Sequence, residues 1–257
     1  MKNVLIGFVI AAVLAVGARA AEPSGQDIIA KVDEGRNPGQ GFRVLDTLTE
    51  YINGQPHDSM QIVVFSVQSR TTRQYNNLVR YVQPTRDAGN MVLMNGTNMW
   101  FYDPSSKASV RISPQQRLLG QASNGDVATV NLAKDYAAKV IGEEKLLDAD
   151  KQTRDCWHLE LKAATDEAVY ARVEYWVEKG SFHQVKGKFY SDSGRLLKIA
   201  YFHKFTPMLG RQIPAETIVI DSVNQNLVTT MAISDMRFQD VPDSWFQRDF
   251  LPRLKID

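Results

Sequence analysis

The chain has 257 residues, of which 44% are hydrophobic and 23% are charged, and its 30 basic and 29 acidic residues give a formal net charge of +1. This composition excludes an intrinsically disordered chain, which has fewer apolar residues and a larger net charge. It also lacks the excess of Lys and Arg that binding to a phosphate backbone needs, so no nucleic-acid partner is expected. Because Cys156 is the one cysteine, no intramolecular disulfide bond can form.

The start of the chain has the three parts of a secretory signal peptide. Lys2 provides a basic start, residues 4–16 are almost all apolar, and small residues occupy positions −3 and −1 of a cleavage site after Ala20. The apolar run is shorter than the ~20 residues that a membrane-spanning helix needs. The sequence therefore predicts a signal peptide over residues 1–20 and export of a single soluble domain, residues 21–257, to the periplasm.

The mature region opens with a predicted helix from Ser24 to Glu34. The Ser24 side chain can cap the free N–H groups of the first turn, where Asp27 adds a favourable negative charge. From Phe42 onward the apolar residues alternate, which predicts strands. The pair Asn53-Gly54 is typical of a two-residue hairpin turn. Further strands are predicted up to residue 112, over residues 42–52, 60–67, 77–82, 91–94, 99–102 and 108–112.

Residues 113–131 interrupt the strand pattern. Pro114, Gly120 and Gly125 argue against a regular strand, and the segment is predicted to form one or two short helical turns that cross over the sheet. Long connections of this kind inside a β domain are often functional.

The second half of the chain returns to alternating strands and ends in a predicted helical turn at residues 242–246. The thirteen extended segments of the two halves are joined by tight polar turns, and they predict one sheet of about ten to twelve strands. A sheet of that size tends to curl toward a barrel, so the predicted fold is mainly β, a single strongly curved antiparallel sheet. The predicted strands of this half are residues 136–146, 157–162, 169–178, 185–189, 197–205, 213–221 and 227–234.

Motifs for catalysis or metal binding are missing from the sequence, which contains neither a Gly-rich phosphate loop nor a Gly-x-Ser-x-Gly elbow nor His-Glu-x-x-His. His158, His183 and His203 lie on separate predicted strands, and Cys156 is expected to be a buried thiol rather than a nucleophile. We therefore expect no enzyme, no cofactor and no metal. The concave apolar face of the sheet is covered either by the protein's own side chains or by an apolar ligand such as an acyl chain, and the sequence pattern alone favours neither.

Nine short segments carry a further signal in their order and spacing: residues 98–104, 110–113, 116–120, 135–136, 141–144, 156–161, 175–177, 193–198 and 210–214. Together they resemble the bacterial outer membrane lipoprotein-sorting proteins, the LolA-like lipoprotein carriers. The resemblance implies an open, unclosed β-barrel whose concave face is covered by short helices. It also implies a periplasmic carrier that binds a lipid or the acyl chains of a lipoprotein for transport toward the outer membrane; a monomer is expected, with an inner-membrane lipid exporter as a further partner to test. The alternative is a periplasmic sensor of lipoproteins that acts on a membrane partner.

The expected ligand site consists of a lid and a cavity. Residues 115–130 form the predicted lid, with Gly120 and Gly125 as hinges, and Arg117 is placed to hold it closed by hydrogen bonds to strand-end carbonyls. The alternative is that this segment is a fixed plug of the core. The predicted lid and cavity residues are Leu118, Leu119, Arg117, Trp100, Met99, Phe101 and Trp157.

Overall fold

The protein was analysed as a computed structural model that describes residues 22–255, so the predicted signal peptide lies outside the described residues. Among the described residues there are fifteen strands, thirteen of which form one antiparallel sheet. In chain order the strands are β1 (Phe42–Ile52), β2 (Gln55–Gln68), β3 (Tyr75–Gln83), β4 (Met91–Asn95), β5 (Asn98–Asp103), β6 (Ala108–Arg111), β7 (Arg117–Leu119), β8 (Ala122–Ser123), β9 (Tyr136–Leu147), β10 (Thr153–Ala163), β11 (Arg172–Glu178), β12 (Gln184–Tyr190), β13 (Leu196–Met208), β14 (Arg211–Asp221) and β15 (Leu227–Phe238).

The sheet is built from two meanders joined at its centre. Its order is β6-β5-β4-β3-β2-β1-β15-β14-β13-β12-β11-β10-β9, so strands adjacent in sequence pair everywhere except where β1 pairs with β15. The edge strands β6 and β9 are not paired with each other, which leaves the sheet open. The predicted curved, unclosed antiparallel sheet is confirmed, with one strand more than the upper end of the predicted range.

The hairpin from β1 to β2 turns at the predicted dipeptide. Asn53 and Gly54 have φ values of 53° and 75°, the left-handed values that a two-residue turn of this kind requires. Along β1 the side chains of Phe42, Val44, Asp46 and Leu48 alternate with more exposed ones and are all buried, so they point to the concave side of the sheet.

The helices, among the described residues, are short. The first, α1 (Gly25–Arg36), begins as predicted, because the hydroxyl of Ser24 and the carboxylate of Asp27 form a reciprocal capping box. Its apolar side packs with β10 and β11 residues in one core cluster. The others are α2 (Asn124–Val127), α3 (Leu132–Asp135) and two 3-10 helices, Asp243–Phe246 and Arg248–Arg253. None of the helices that the structure describes is both long and apolar enough to cross a bilayer.

The C-terminal 3-10 helices cover the convex face. Phe65 alternates with the concave-facing Val64 along β2, and its ring meets the edge of Trp245 at a centroid distance of 5.2 Å. Phe246 and Leu251 are fully buried in the same cluster. The predicted helical turn at the tail is therefore confirmed, and its aromatic residues dock on the side of the sheet opposite the cavity.

Two parts of the predicted secondary structure are wrong in detail. Residues 113–131 do contain strands, since β7 and β8 form a small antiparallel ribbon before α2. Gly120 has a φ of 52° and turns the chain between these strands, so this glycine makes a hairpin rather than preventing one. The strand predicted from Val169 starts instead at Arg172, because Val169 and Tyr170 are buried under residues 113–131.

Candidate ligand cavity under a cover segment

A cavity of about 230 Å³ lies between the concave face of the sheet and residues 113–131, which we call the cover segment. Most side chains around it are apolar, and they come from both halves of the sheet. The lining residues are Arg36, Asn37, Phe42, Val44, Asp46, Val64, Gly125, Asp126, Val127, Ala128, Thr129, Val130, Leu132, Asp135, Tyr136, Leu161, Val169, Tyr170, Val173, Tyr175, Gln184, Phe189, Lys198, Ala200, Phe202, Ile213, Pro214, Thr217, Val219, Met231, Ile233 and Met236.

Side-chain hydrogen bonds hold the far end of the cover segment to β2 and β3. The backbone N–H of Thr129 donates to Asn77 Oδ1 at 2.9 Å, and Asn77 Nδ2 donates back to the Thr129 carbonyl at 2.9 Å. The hydroxyls of Ser66 and Thr129 are also 2.9 Å apart. The cover segment is thus attached here by a few polar contacts rather than by a strand ladder.

A buried polar cluster holds the middle of the cover segment to β13. Lys198 Nζ donates to the carboxylate of Asp126, to Ser123 Oγ at 3.1 Å and to the Gln121 carbonyl at 3.4 Å. The Tyr170 hydroxyl donates to Asp126 Oδ1 at 2.7 Å. Lys198 is only 5% exposed, so its charge is removed from water and is compensated inside the protein by Asp126.

The electrostatics of this cluster fix the direction of its hydrogen bonds. Burial, and then the negative charge of Asp126, raises the pKa of Tyr170 well above its ordinary value. The Tyr170 hydroxyl therefore stays protonated at neutral pH and acts as a donor to Asp126. The ammonium group of Lys198 also lies 5.1 Å from the centre of the Tyr170 ring, close enough for a cation–π interaction.

Gly125 allows the cover segment to approach the loop before β11. A Cβ atom at this position would lie 2.5 Å from Val169 Cγ1, closer than two carbon atoms can approach. Gln115 Nε2 donates to the Val169 carbonyl at 2.9 Å and joins the same two segments. The glycine at this position is therefore required by packing, and its φ lies outside the left-handed region.

A second charged group in the lining, Asp46, has no comparable partner. It is 6% exposed, and its Oδ1 atom is buried without a hydrogen bond among the described residues. Burial raises the pKa of the Asp46 carboxyl to about 7, opposed only by a hydrogen bond from the backbone of Thr47. Among the charged residues of the lining, which also include Arg36 and Asp135, Lys198 and Asp126 thus form a compensated ion pair, whereas Asp46 has no charged partner.

Three of the seven predicted site residues lie in the cover segment. Leu118 and Leu119 are half-buried and pack against the apolar cluster on the concave face of the sheet. Arg117 is exposed, and its guanidinium donates to Gln121 Oε1 at 3.3 Å, so it contacts a side chain of the cover segment itself rather than strand-end carbonyls. Arg117 was expected to connect the cover segment to a strand. In the structure, Lys198 of β13 makes that connection.

The other four predicted residues lie on the sheet. Met99 is buried and Phe101 half-buried in the cluster that Leu118 and Leu119 contact. Trp157 is buried in the cluster beneath α1. Trp100 alternates with its neighbours along β5 and so lies on the convex side, with the Arg248 guanidinium 4.9 Å from its ring.

None of the seven predicted residues belongs to the lining of the cavity, and Trp100 lies on the opposite face of the sheet. The charged residues that do line it were not predicted as site residues. Lys198 alternates with the apolar residues Leu197 and Ile199, a pattern typical of a solvent-facing side chain, whereas the structure turns Lys198 and Ala200 inward. Asp46 could have been found from the sequence, because it places a carboxylate among the alternating apolar positions of β1.

The residues considered for chemistry are dispersed. His158 stacks on Trp176 at a centroid distance of 4.1 Å, and His183 stacks on Phe205 at 4.0 Å. Cys156 is fully buried, and this burial raises the pKa of its thiol to about 12. Its sulfur is therefore a protonated, inaccessible thiol in the folded protein, as the sequence predicted.

Comparison with known proteins agrees with this architecture. A family model with the description "Uncharacterized protein" matches residues 73–253. The crystal structure of a LolA superfamily protein from Nitrosomonas europaea is 31% identical, with 89% of this chain and 100% of that chain covered and a TM-score of 0.78. A domain described as an outer membrane lipoprotein-sorting protein, from Vibrio parahaemolyticus, is 20% identical, with 89% and 98% covered and a TM-score of 0.74. The comparison with curated proteins found no match.

The open sheet, its concave apolar cavity and the segment that covers it define a protein with a LolA-like, carrier-type fold. The identity to the Nitrosomonas protein over its full length shows the family, and this chain belongs to the LolA superfamily. The resemblance inferred from the sequence is confirmed.

Proposed function

We propose that this protein is a periplasmic carrier that binds the acyl chains of a lipoprotein, or another lipid, in the cavity and catalyses no reaction. The observation that carries the proposal is an apolar cavity that lies between the concave sheet and a cover segment held in place by polar contacts. Burial of apolar ligand surface supplies the binding free energy, about 25 cal/mol per Å². Release toward the outer membrane, delivery by an inner-membrane exporter and a monomeric state are parts of the same proposal.

The size of the cavity supports a cover segment that moves. At about 230 Å³ the cavity is smaller than the ~300–1,000 Å³ of typical small-molecule sites. A long acyl chain therefore needs more room than the closed arrangement gives. Displacing the cover segment enlarges the cavity without breaking the sheet, because the contacts at Thr129 and Asp126 are side-chain contacts.

In this proposal four of the predicted residues help to close the cavity although they do not line it. Leu118 and Leu119 close the cover segment onto Met99 and Phe101, which hides the apolar face when the cavity is empty. The alternative, a cover segment that is a permanent plug of the core, predicts that a ligand cannot enter while the protein stays folded. The two experiments below separate binding from gating.

The first experiment fills the cavity. Ala200 lines it and is 3% exposed, so Ala200→Leu places a larger apolar side chain in the space proposed for the ligand. We expect weaker binding of a fluorescent acyl probe and unchanged or raised thermal stability, since filling a void adds contacts. Val110→Leu, at a 57% exposed position, is the matched control and is expected to bind like wild type. Full probe binding by a folded Ala200→Leu variant would place the ligand elsewhere.

The second experiment locks the cover segment. The 2.9 Å between the hydroxyls of Ser66 and Thr129 suits a disulfide bond between cysteines at these positions, with its S–S length of about 2.05 Å. The oxidised Ser66→Cys, Thr129→Cys protein is expected to lose probe uptake, and reduction is expected to restore it. Each single variant, under the same oxidation, is the control. Equal uptake by the oxidised and reduced double variant would contradict a moving cover segment.

A further inference from the structure

Asp46 occupies an apolar position in the wall of the cavity. It follows Phe42 and Val44 on the buried side of β1, and its backbone faces Ile62 on β2 and Ile233 on β15. In the pairing of β1 with β15, Leu45 faces Asp235 and Asp46 faces Ile233, so β15 has one extra residue, Ser234, as a β-bulge beside Asp46. Natural sheets use such irregularities to aim particular side chains, often beside a functional site.

The carboxyl group is isolated as well as buried. Oδ1 has no hydrogen-bond partner among the described residues, and no charged side chain contributes to the electrostatics of Asp46. Lys198, the buried cation of the cavity, is already bonded to Asp126. A buried polar atom without a partner is costly, so such a group is expected to have a partner in the functional state of the protein.

We propose that the cavity selects ligands that carry a hydrogen-bond donor beside their apolar chain, a hydroxyl, an amide N–H or an amine, and that Asp46 accepts this hydrogen bond. The inference rests on the proposed lipid-binding function and names the class of ligand. At about pH 8, where the Asp46 carboxyl is mostly ionised and can only accept hydrogen bonds, a donor of this kind satisfies the unpaired oxygen, whereas an ester or a plain hydrocarbon leaves it without a partner inside a drier cavity. Sites built to bond a donor discriminate strongly against analogues that lack it, because the protein group is then left without a partner.

The test compares probes of one chain length that differ only in the head group. Dodecanol, dodecanamide and dodecylamine carry a donor, and methyl dodecanoate does not. Each is titrated against the dye anilinonaphthalene sulfonate bound to delipidated protein, with the affinity of the dye measured separately for every variant. The variants are Asp46→Leu, which removes the acceptor, and Asp46→Asn, which keeps an acceptor oxygen and removes the charge. Asp192→Leu is the control, because it makes the same substitution in the exposed turn between β12 and β13, outside the cavity lining.

At about pH 8, where Asp46 is mostly ionised, we expect wild-type protein to bind the donor probes about 10- to 100-fold more tightly than methyl dodecanoate, the range expected for a hydrogen bond to a charged group. Asp46→Leu should abolish this preference, and Asp192→Leu should retain it. Asp46→Asn should still prefer dodecanol and dodecanamide, because it keeps an acceptor oxygen, and should lose the preference for dodecylamine, because it lacks the charge that pairs with the cation.

Two results overturn the inference in distinguishable ways. Equal binding of all four probes by wild type, or a preference that persists in Asp46→Leu, would refute the role of Asp46 and leave the carrier function intact. Failure of every probe to compete, in protein that binds the dye and is folded by circular dichroism, would contradict the proposed function itself.

Discussion

Removal of the Asp46 carboxyl should change how the stability of the protein depends on pH. Burial raises the pKa of this group from an ordinary value of 3.8 to about 7 in the folded protein. Between these two values the folded state keeps a proton that the unfolded state has released. The free energy of unfolding therefore falls as the pH rises through this window, because ionising Asp46 in its apolar site is unfavourable.

The magnitude follows from the difference between the two pKa values. A pKa difference of about 3 corresponds to ~4 kcal/mol, at about 1.4 kcal/mol for each pKa unit. Asp46→Leu removes this contribution. We expect the stability of the variant relative to wild type to rise by up to ~4 kcal/mol between about pH 4 and about pH 8. Any difference in the free energy of unfolding that packing alone causes is already present at about pH 4 and does not change with pH.

Urea unfolding of delipidated protein, followed by tryptophan fluorescence at a series of pH values, measures this difference. Burial also raises the pKa of Asp33, to about 6, but Asp33 is present in both proteins and its effect cancels in the difference. A difference that stays flat from about pH 4 to about pH 8 would refute the reasoning, since it would mean that Asp46 is already partnered or solvated in the folded state.

Two further predictions concern the cover segment. Lys198→Met should lower the free energy of unfolding in urea by ~3–5 kcal/mol, because it leaves the carboxylate of Asp126 without its cationic partner. Adding Asp126→Asn should restore most of the lost stability. A double variant no more stable than Lys198→Met would show that the two residues do not act as an isolated ion pair. The double variant Leu118→Asp, Leu119→Asp should retain an acyl probe on the order of tenfold more weakly, while circular dichroism shows a folded sheet. Leu147→Asp, at a 58% exposed site, is the control and should change neither probe retention nor folding. An unfolded double variant would instead make the cover segment part of the core.

The strands and their turns were predictable because each is specified locally. The alternation from Phe42 to Ile52 and the positive φ preferred at Asn53-Gly54 determine the first hairpin without reference to the rest of the chain. The capping box of Ser24 and Asp27 is equally local. Pairing of β1 with β15 joins residues about 190 positions apart, and no local pattern in the sequence specifies it.

The site was harder to predict because it depends on contacts between distant segments. Lys198 is polar at a position in β13 that also suits solvent, and its inward orientation depends on Asp126, which lies 72 residues earlier. The cover segment was located correctly from Gly120 and Gly125, yet its strands were missed, since residues 117–119 and 122–123 form too short a ribbon for alternation to show. Asp46 was detectable as a carboxylate at an apolar position, but its isolation is visible only in three dimensions.

The central claim, that the cavity holds an apolar ligand under the cover segment, is tested most directly by mass spectrometry of protein purified under mild conditions from its own cell envelope. Wild type and the cavity-filling Ala200→Leu variant should be expressed at equal levels and analysed side by side. The account predicts an acyl-containing molecule or acylated protein that co-purifies with wild type and is depleted from Ala200→Leu. Wild-type protein free of any such molecule, or equal amounts on both proteins, would contradict it.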